Sequence, residues 1–143
     1  IAAHECGHAV QHAKAYSMLQ LRSALVPVVN VSSTVLGYLN MALLFGAGAI
    51  FYGTGAVSET LLLIIIAANL GLAAFSLITL PVEFDASNRA LAWMTTKGVV
   101  TSQEHTMAKD ALFWAAMTYV VAAIGSLAQL LYWVMIFMGR RDD

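Results

Sequence analysis

Apolar positions along the chain gather into three long windows separated by short polar stretches. No charged residue occurs between Arg22 and Glu59, between Glu59 and Glu83, or between Asp110 and Arg140. Each window holds the ~20 apolar residues needed to cross ~30 Å of hydrocarbon. The pattern therefore predicts membrane-spanning helices over 28–51, 61–80 and 112–138. Leu61-Leu62-Leu63-Ile64-Ile65-Ile66 is apolar on every face, and a chain of 143 residues has too little other material to cover three such helices in a water-soluble core.

Local signals refine these elements. Ser58 before Glu59 reads as an N-cap with an acidic first turn for the second span, and Pro81 is expected to end that span. Asn30, Ser32, Ser33, Thr34 and Asn40 make the first span partly polar, which suits helix-to-helix hydrogen bonds or, on a sharper reading, a wet path towards a site. Ala42 with Gly46 and Ala67 with Gly71 are small residues one turn apart, as close helix packing requires. Gly98 closes one helix, and the capping box Thr101-x-x-Glu104 opens the long helix that runs into the third span. Glu104 is thereby structural, with His105 and Lys109 solvated beside it.

Composition agrees with a membrane protein: 60% of residues are apolar and 10% charged, against roughly 25% charged in an ordinary soluble domain. A net charge of −1 gives no support to nucleic-acid binding. The single cysteine, Cys6, excludes an internal disulfide and a thiolate zinc cluster, and its default role is a small filler. The chain begins without methionine at the start of a helix, so the protein is expected to extend upstream.

The chemistry lies in His4-Glu5-Cys6-Gly7-His8. On a helix, histidines at i and i+4 share one face, so both rings can reach one Zn²⁺ while the glutamate between them serves a bound water as general base. By average residue usage, H-E-x-x-H arises by accident in about one chain of this length in a few hundred. The plain alternative is an amphipathic helix with two satisfied histidines. Ala2, Ala3, Ala9, Val10 and Ala13 are compatible with a helix and no proline precedes Pro27, which predicts a zinc-motif helix over 1–22.

Three crossings put the chain start and the segment 81–110 on one side of the membrane, so a carboxylate from that segment can supply a third ligand. Glu83 is the favoured candidate and Asp85 its competitor. The two project about 200° apart around a helix, and Asp85 has another partner available in Arg89 at i+4. His12 extends the His4, His8 stripe by a turn, too far for the same ion, and reads as a polar contact beside the site. Arg89, His12 and His105 are the weak sequence candidates for an oxyanion partner.

At these residues the chain resembles the neutral zinc metallopeptidases of bacterial membranes, the YugP-like family. The resemblance rests on Ala2-Ala3-His4-Glu5-Cys6-Gly7-His8-Ala9-Val10-Gln11-His12 and on Leu80-Pro81-Val82-Glu83-Phe84-Asp85-Ala86-Ser87, with the spans in matching order. It covers essentially the whole chain, which looks like the C-terminal two-thirds of such a protein. More distantly the chain is similar to the prenyl-protein and heat-shock membrane proteases, whose Glu-x-x-x-Asp motif gives the third zinc ligand from its first residue. That similarity carries over to Glu83 and departs at Ser87, where those families have Asp.

The expectation is therefore an all-α membrane-embedded metallopeptidase domain over 1–143, with Zn²⁺ held by His4, His8 and Glu83 and with Glu5 as general base. Its expected partners are a peptide or membrane-protein substrate and the lipid bilayer. A non-hydrolytic zinc-binding scaffold or chaperone-like protein is the main alternative, and a transporter a weaker one. Lys14, Arg22, Arg89, Lys97 and Lys109 outnumber Arg140 and Arg141 across the membrane, which puts the catalytic side in the cytoplasm of a bacterial plasma membrane.

Overall fold

The computed structural model describes residues 1–42, 44, 45 and 59–141. They form four helices: α1 (Ala2–Ala13), α2 (Ser17–Ala42), α3 (Glu59–Thr96) and α4 (Ser102–Arg141). No strand occurs among the described residues. Three of the helices, α2, α3 and α4, are long and apolar enough to cross a membrane. Many of their large side chains point outward: on α4, Val121, Ile124, Leu131, Met135 and Met138 are all well exposed. Such a surface is costly in water and suited to lipid.

Two local expectations are corrected. The helix expected over 1–22 breaks after Ala13, where Ala15 takes a left-handed φ of 50° and the Tyr16 amide donates to the Gln11 carbonyl at 2.9 Å. A second helix then starts at Ser17 and carries Pro27 inside it. Pro81 also does not end its helix, because α3 continues to Thr96. Proline forfeits one backbone bond there, but Val82, Ala86 and Ala90 follow at four-residue spacing and all three are buried. That packed stripe holds the helix together past the proline.

Other signals read as expected. Gly98 has φ 61° just after α3 ends, and Thr101 and Glu104 exchange capping bonds of 2.7 and 3.3 Å at the start of α4. These bonds hold the exposed Glu104 carboxyl below its ordinary range: the Thr101 amide lowers it most, and the Thr101 hydroxyl adds to this. Ser58, Gly46 and residues 43 and 46–51 of the first expected span lie outside the described residues.

The chain divides into two compact units, one of residues 1–24 and 76–123, the other of 25–75 and 124–143. In the second, Gly71 of α3 lies against Val28 and Ser32 of α2, where an added Cβ would meet side-chain atoms at 3.0 Å. Ser32 is buried at this contact, while Thr34 turns its hydroxyl back to the Asn30 carbonyl at 2.8 Å. In the first unit, α1 lies directly on α3. A Cβ on Gly7 would collide with the Ala86 carbonyl group, so the backbones approach as closely as they do only because residue 7 has no side chain.

Glycine inside a helix costs ~1 kcal/mol relative to alanine, so Gly7→Ala improves the propensity of α1 and would stabilise an unconstrained helix. Here it should destabilise the protein by about 1–3 kcal/mol, the usual range for overpacking. Zinc occupancy should fall with it. Thermal unfolding and metal analysis of the purified variant check both; a raised melting temperature with full zinc would mean that α1 does not rest on Ala86.

Candidate metal centre

Helix α1 aims His4 and His8 from one face at α3. The two rings stand at 86° to each other with centroids 4.8 Å apart. His4 Nε2 lies 3.0 Å and His8 Nε2 3.5 Å from the same atom, Glu83 Oε2. One ligand atom from each of the three residues lies within 4.8 Å of the others. Tetrahedral zinc with bonds of ~2.0–2.2 Å needs donors roughly 3.3 Å apart, which is the scale of these separations. Two imidazoles and a carboxylate are also the donor set of catalytic zinc sites, so the residues fit the ion.

What makes the fit specific is the far side of each ring. Gln11 is wholly buried, and its amide nitrogen donates to the Val82 carbonyl and to Asp85 Oδ2, both at 2.8 Å. Two acceptors on that nitrogen force the Gln11 oxygen towards His8, whose Nδ1 it meets at 2.9 Å. A carbonyl oxygen only accepts, so His8 Nδ1 carries the proton and donates it. In the neutral ring, Nε2 is left with a lone pair facing Glu83. His4 also has a partner behind its ring: Nδ1 is 3.2 Å from Ser87 Oγ, a hydroxyl able to accept the ring proton.

Asp85 turns away from the histidines. Arg89 Nε donates to Asp85 Oδ2 at 2.6 Å, and the Arg89 guanidinium also lies 5.7 Å from the centre of the Tyr16 ring. Burial pushes the Asp85 carboxyl up, but the Arg89 and Gln11 hydrogen bonds and the Arg89 charge outweigh it and hold the group below its ordinary value. Asp85 therefore anchors Gln11 as an anion, while Glu83, four residues before Ser87, faces the rings.

Glu5 and His12 are exposed and make no part of the His4, His8, Glu83 cluster. Cys6 is exposed rather than a buried filler. The three weak oxyanion candidates lie elsewhere: Arg89 is engaged with Asp85, His12 is exposed, and His105 is on the first turn of α4. Two other residues do reach the cluster. Arg22 Nη2 is 3.8 Å from Glu83 Oε1, the oxygen turned away from the histidines, and Tyr119 of α4 has its hydroxyl against the Glu83 carboxylate. Sequence reasoning missed both, because neither stands at a motif spacing. Gln11 is legible in principle: it falls at i+3 from His8 and i+7 from His4, on the histidine face of α1.

The family described as "Putative neutral zinc metallopeptidase" matches residues 1–138. Over all 143 residues the chain is 40% identical to the "Putative membrane protease YugP" of Bacillus subtilis (strain 168), and it spans 59% of that protein's length. No solved structure matches the chain.

Removing partners of ligating histidines typically costs 10–100-fold in metal affinity. Gln11→Ala should weaken zinc binding by about that factor, and Glu83→Ala should weaken it more. Asp85→Ala should have the smallest effect of the three, since it acts only through Gln11. Competition titration with a zinc chelator measures the order; a larger loss from Asp85→Ala than from Glu83→Ala would transfer the ligand role to Asp85.

Proposed function

The chain belongs to the "Putative neutral zinc metallopeptidase" family, and from that premise we propose that it is a membrane-bound zinc endopeptidase with His4, His8 and Glu83 as metal ligands and Glu5 as general base. The observation that carries this reading is the meeting of both Nε2 atoms at one Glu83 oxygen. Zinc, when bound, would supply a water far more acidic than bulk water and a positive charge that polarises a carbonyl.

The remaining roles belong to the chain. His4, His8 and Glu83 hold the ion, and Ser87 and Gln11 keep the two rings from rotating. Arg22 places positive charge on the far oxygen of Glu83, which favours its presenting the other oxygen to the histidines. Glu5 follows His4 on the exposed side of α1, open to water and to an incoming peptide. Its carboxylate takes a proton from the attacking water and delivers it to the nitrogen of the departing amine. Metal binding alone has no need of a carboxylate beside the first histidine, so Glu5 favours hydrolysis over a zinc-holding scaffold.

The substrate is proposed to be a peptide or membrane protein reached near the bilayer surface. Glu83 lies three residues beyond the apolar run that ends at Leu80, a rise of about 4.5 Å along the helix. The five basic residues proposed for the catalytic side, against two near the C-terminus, favour a cytoplasmic site in a bacterial plasma membrane.

Glu5→Gln should retain zinc and lose hydrolysis by about 10²–10⁴-fold, the usual contribution of a general base. Casein cleavage beside metal analysis tests it. Wild-type rates in the variant would remove Glu5 from the mechanism, and bound zinc with no cleavage by the unmodified protein would favour the scaffold.

Orientation has its own test. A reporter fused after the C-terminal residue should show active alkaline phosphatase and dark green fluorescent protein; the reverse pair of signals would put the C-terminus in the cytoplasm.

A further inference from the structure

A cavity of about 240 Å³ opens beside His4 and Glu83, walled on the other side by Leu112, Ala115, Ala116 and Tyr119 of α4. Sites that enclose whole drug-sized molecules run to ~300–1,000 Å³, and a water takes ~30 Å³ of the liquid. This cavity has room for one large side chain and little else. The α4 wall carries no charge. The hydroxyls at the edge are already engaged, Ser87 with His4 Nδ1 at 3.2 Å and Thr118 with the Ala115 carbonyl at 2.6 Å. A charged guest would leave its hydration for a wall with little to replace it, whereas an apolar guest loses nothing.

Position adds to this. Two of the three proposed ligands form part of the cavity wall, so a side chain seated here carries its own backbone to the His4–Glu83 cluster. Resting on the peptidase reading, we propose that the cavity receives an apolar side chain of the substrate next to the bond that is cut, and that Ala115 and Ala116 set the size it accepts. Leucine- to phenylalanine-sized residues suit the space. Aspartate and lysine do not. Ala116 is buried in the helix contact, but Ala115 is exposed and lines the cavity, so a larger residue at 115 occupies the cavity without forcing the core apart.

The test uses the full-length protein with two readouts. Cut sites in a random peptide pool are mapped by mass spectrometry, and labelled peptides differing only in one Leu or Asp are bound to the Glu5→Gln protein and followed by fluorescence anisotropy. A hydrophobic pocket discriminates by ~10–200-fold per methylene, so cutting should favour Leu or Phe over Asp at one flanking position by tenfold or more. Ala115→Phe should move that preference to Gly and Ala, weaken Leu-peptide binding about tenfold and leave zinc content unchanged. Val121→Phe, at an exposed position of the same helix, should alter neither readout. Unchanged preference and unchanged Leu-peptide binding in Ala115→Phe would overturn the proposal. If Ala115→Phe weakens Leu-peptide binding but no form of the protein cuts any peptide, the apolar site stands and the peptidase reading fails.

Discussion

Everything proposed for this chain depends on how closely α1 lies on α3 at Gly7 and Ala86. Histidine side chains reach only a few ångströms from their helix, so two of them on α1 can meet a glutamate on α3 only if the backbones nearly touch. A methyl group at residue 7 would run into the Ala86 carbonyl group. The motif thus has a packing requirement inside its chemical one: the position between Cys6 and His8 must be empty of side chain, although a mid-helix glycine weakens the helix that bears it. Ala86, wholly buried, meets the same need from the other side.

The second constraint is the polar network behind the rings. Gln11 is buried with every side-chain hydrogen-bonding group directed at a partner: the Val82 carbonyl, Asp85 and His8. An unsatisfied buried amide would cost roughly 1–3 kcal/mol, so the three bonds act together to fix one orientation. The chain of influence runs from Arg89 through Asp85 and Gln11 to the His8 proton. The Val82 carbonyl and Asp85 together thereby decide which nitrogen of the His8 ring is left with a lone pair, a choice that the His-to-Glu distances alone do not make.

Much of this was legible in the sequence, and the reasons differ from residue to residue. His4, Glu5 and His8 stand out because a helical metal site demands a fixed spacing. Glu83 could be preferred to Asp85 because their 200° separation lets only one face α1, and Arg89 at i+4 offered Asp85 another partner; the structure brings Glu83 to the histidines and Asp85 to Arg89. Pro81 is a helix breaker by local propensity, but the buried stripe of Val82, Ala86 and Ala90, set by tertiary packing, carries the helix through it. The continuous helix over 1–22 failed at Ala15 for the opposite reason, a backbone reversal with no glycine, proline or asparagine to announce it. Arg22 and Tyr119 were not readable at all. They approach Glu83 from α2 and α4 through tertiary packing, at sequence separations that no periodicity covers.

The continuity of α3 bears on why the cluster sits where it does. Its 38 residues are nearly twice the ~20 that a hydrocarbon core requires. Its first part is apolar to Leu80, and its last part carries Glu83, Asp85 and Arg89. In the same unit, the apolar run of α4 begins after Asp110, and the cavity wall lies within it, from Leu112 to Tyr119. The Glu83 carboxylate, just past the apolar run of α3, therefore faces an uncharged stretch of α4, with Arg22 at its far oxygen. A carboxylate far inside the apolar run would face a charge penalty that few partners offset, and one far outside it would lose the apolar cavity. Because α3 is continuous from Leu80 to Glu83, the carboxylate keeps a fixed rise and angle from the end of the apolar run.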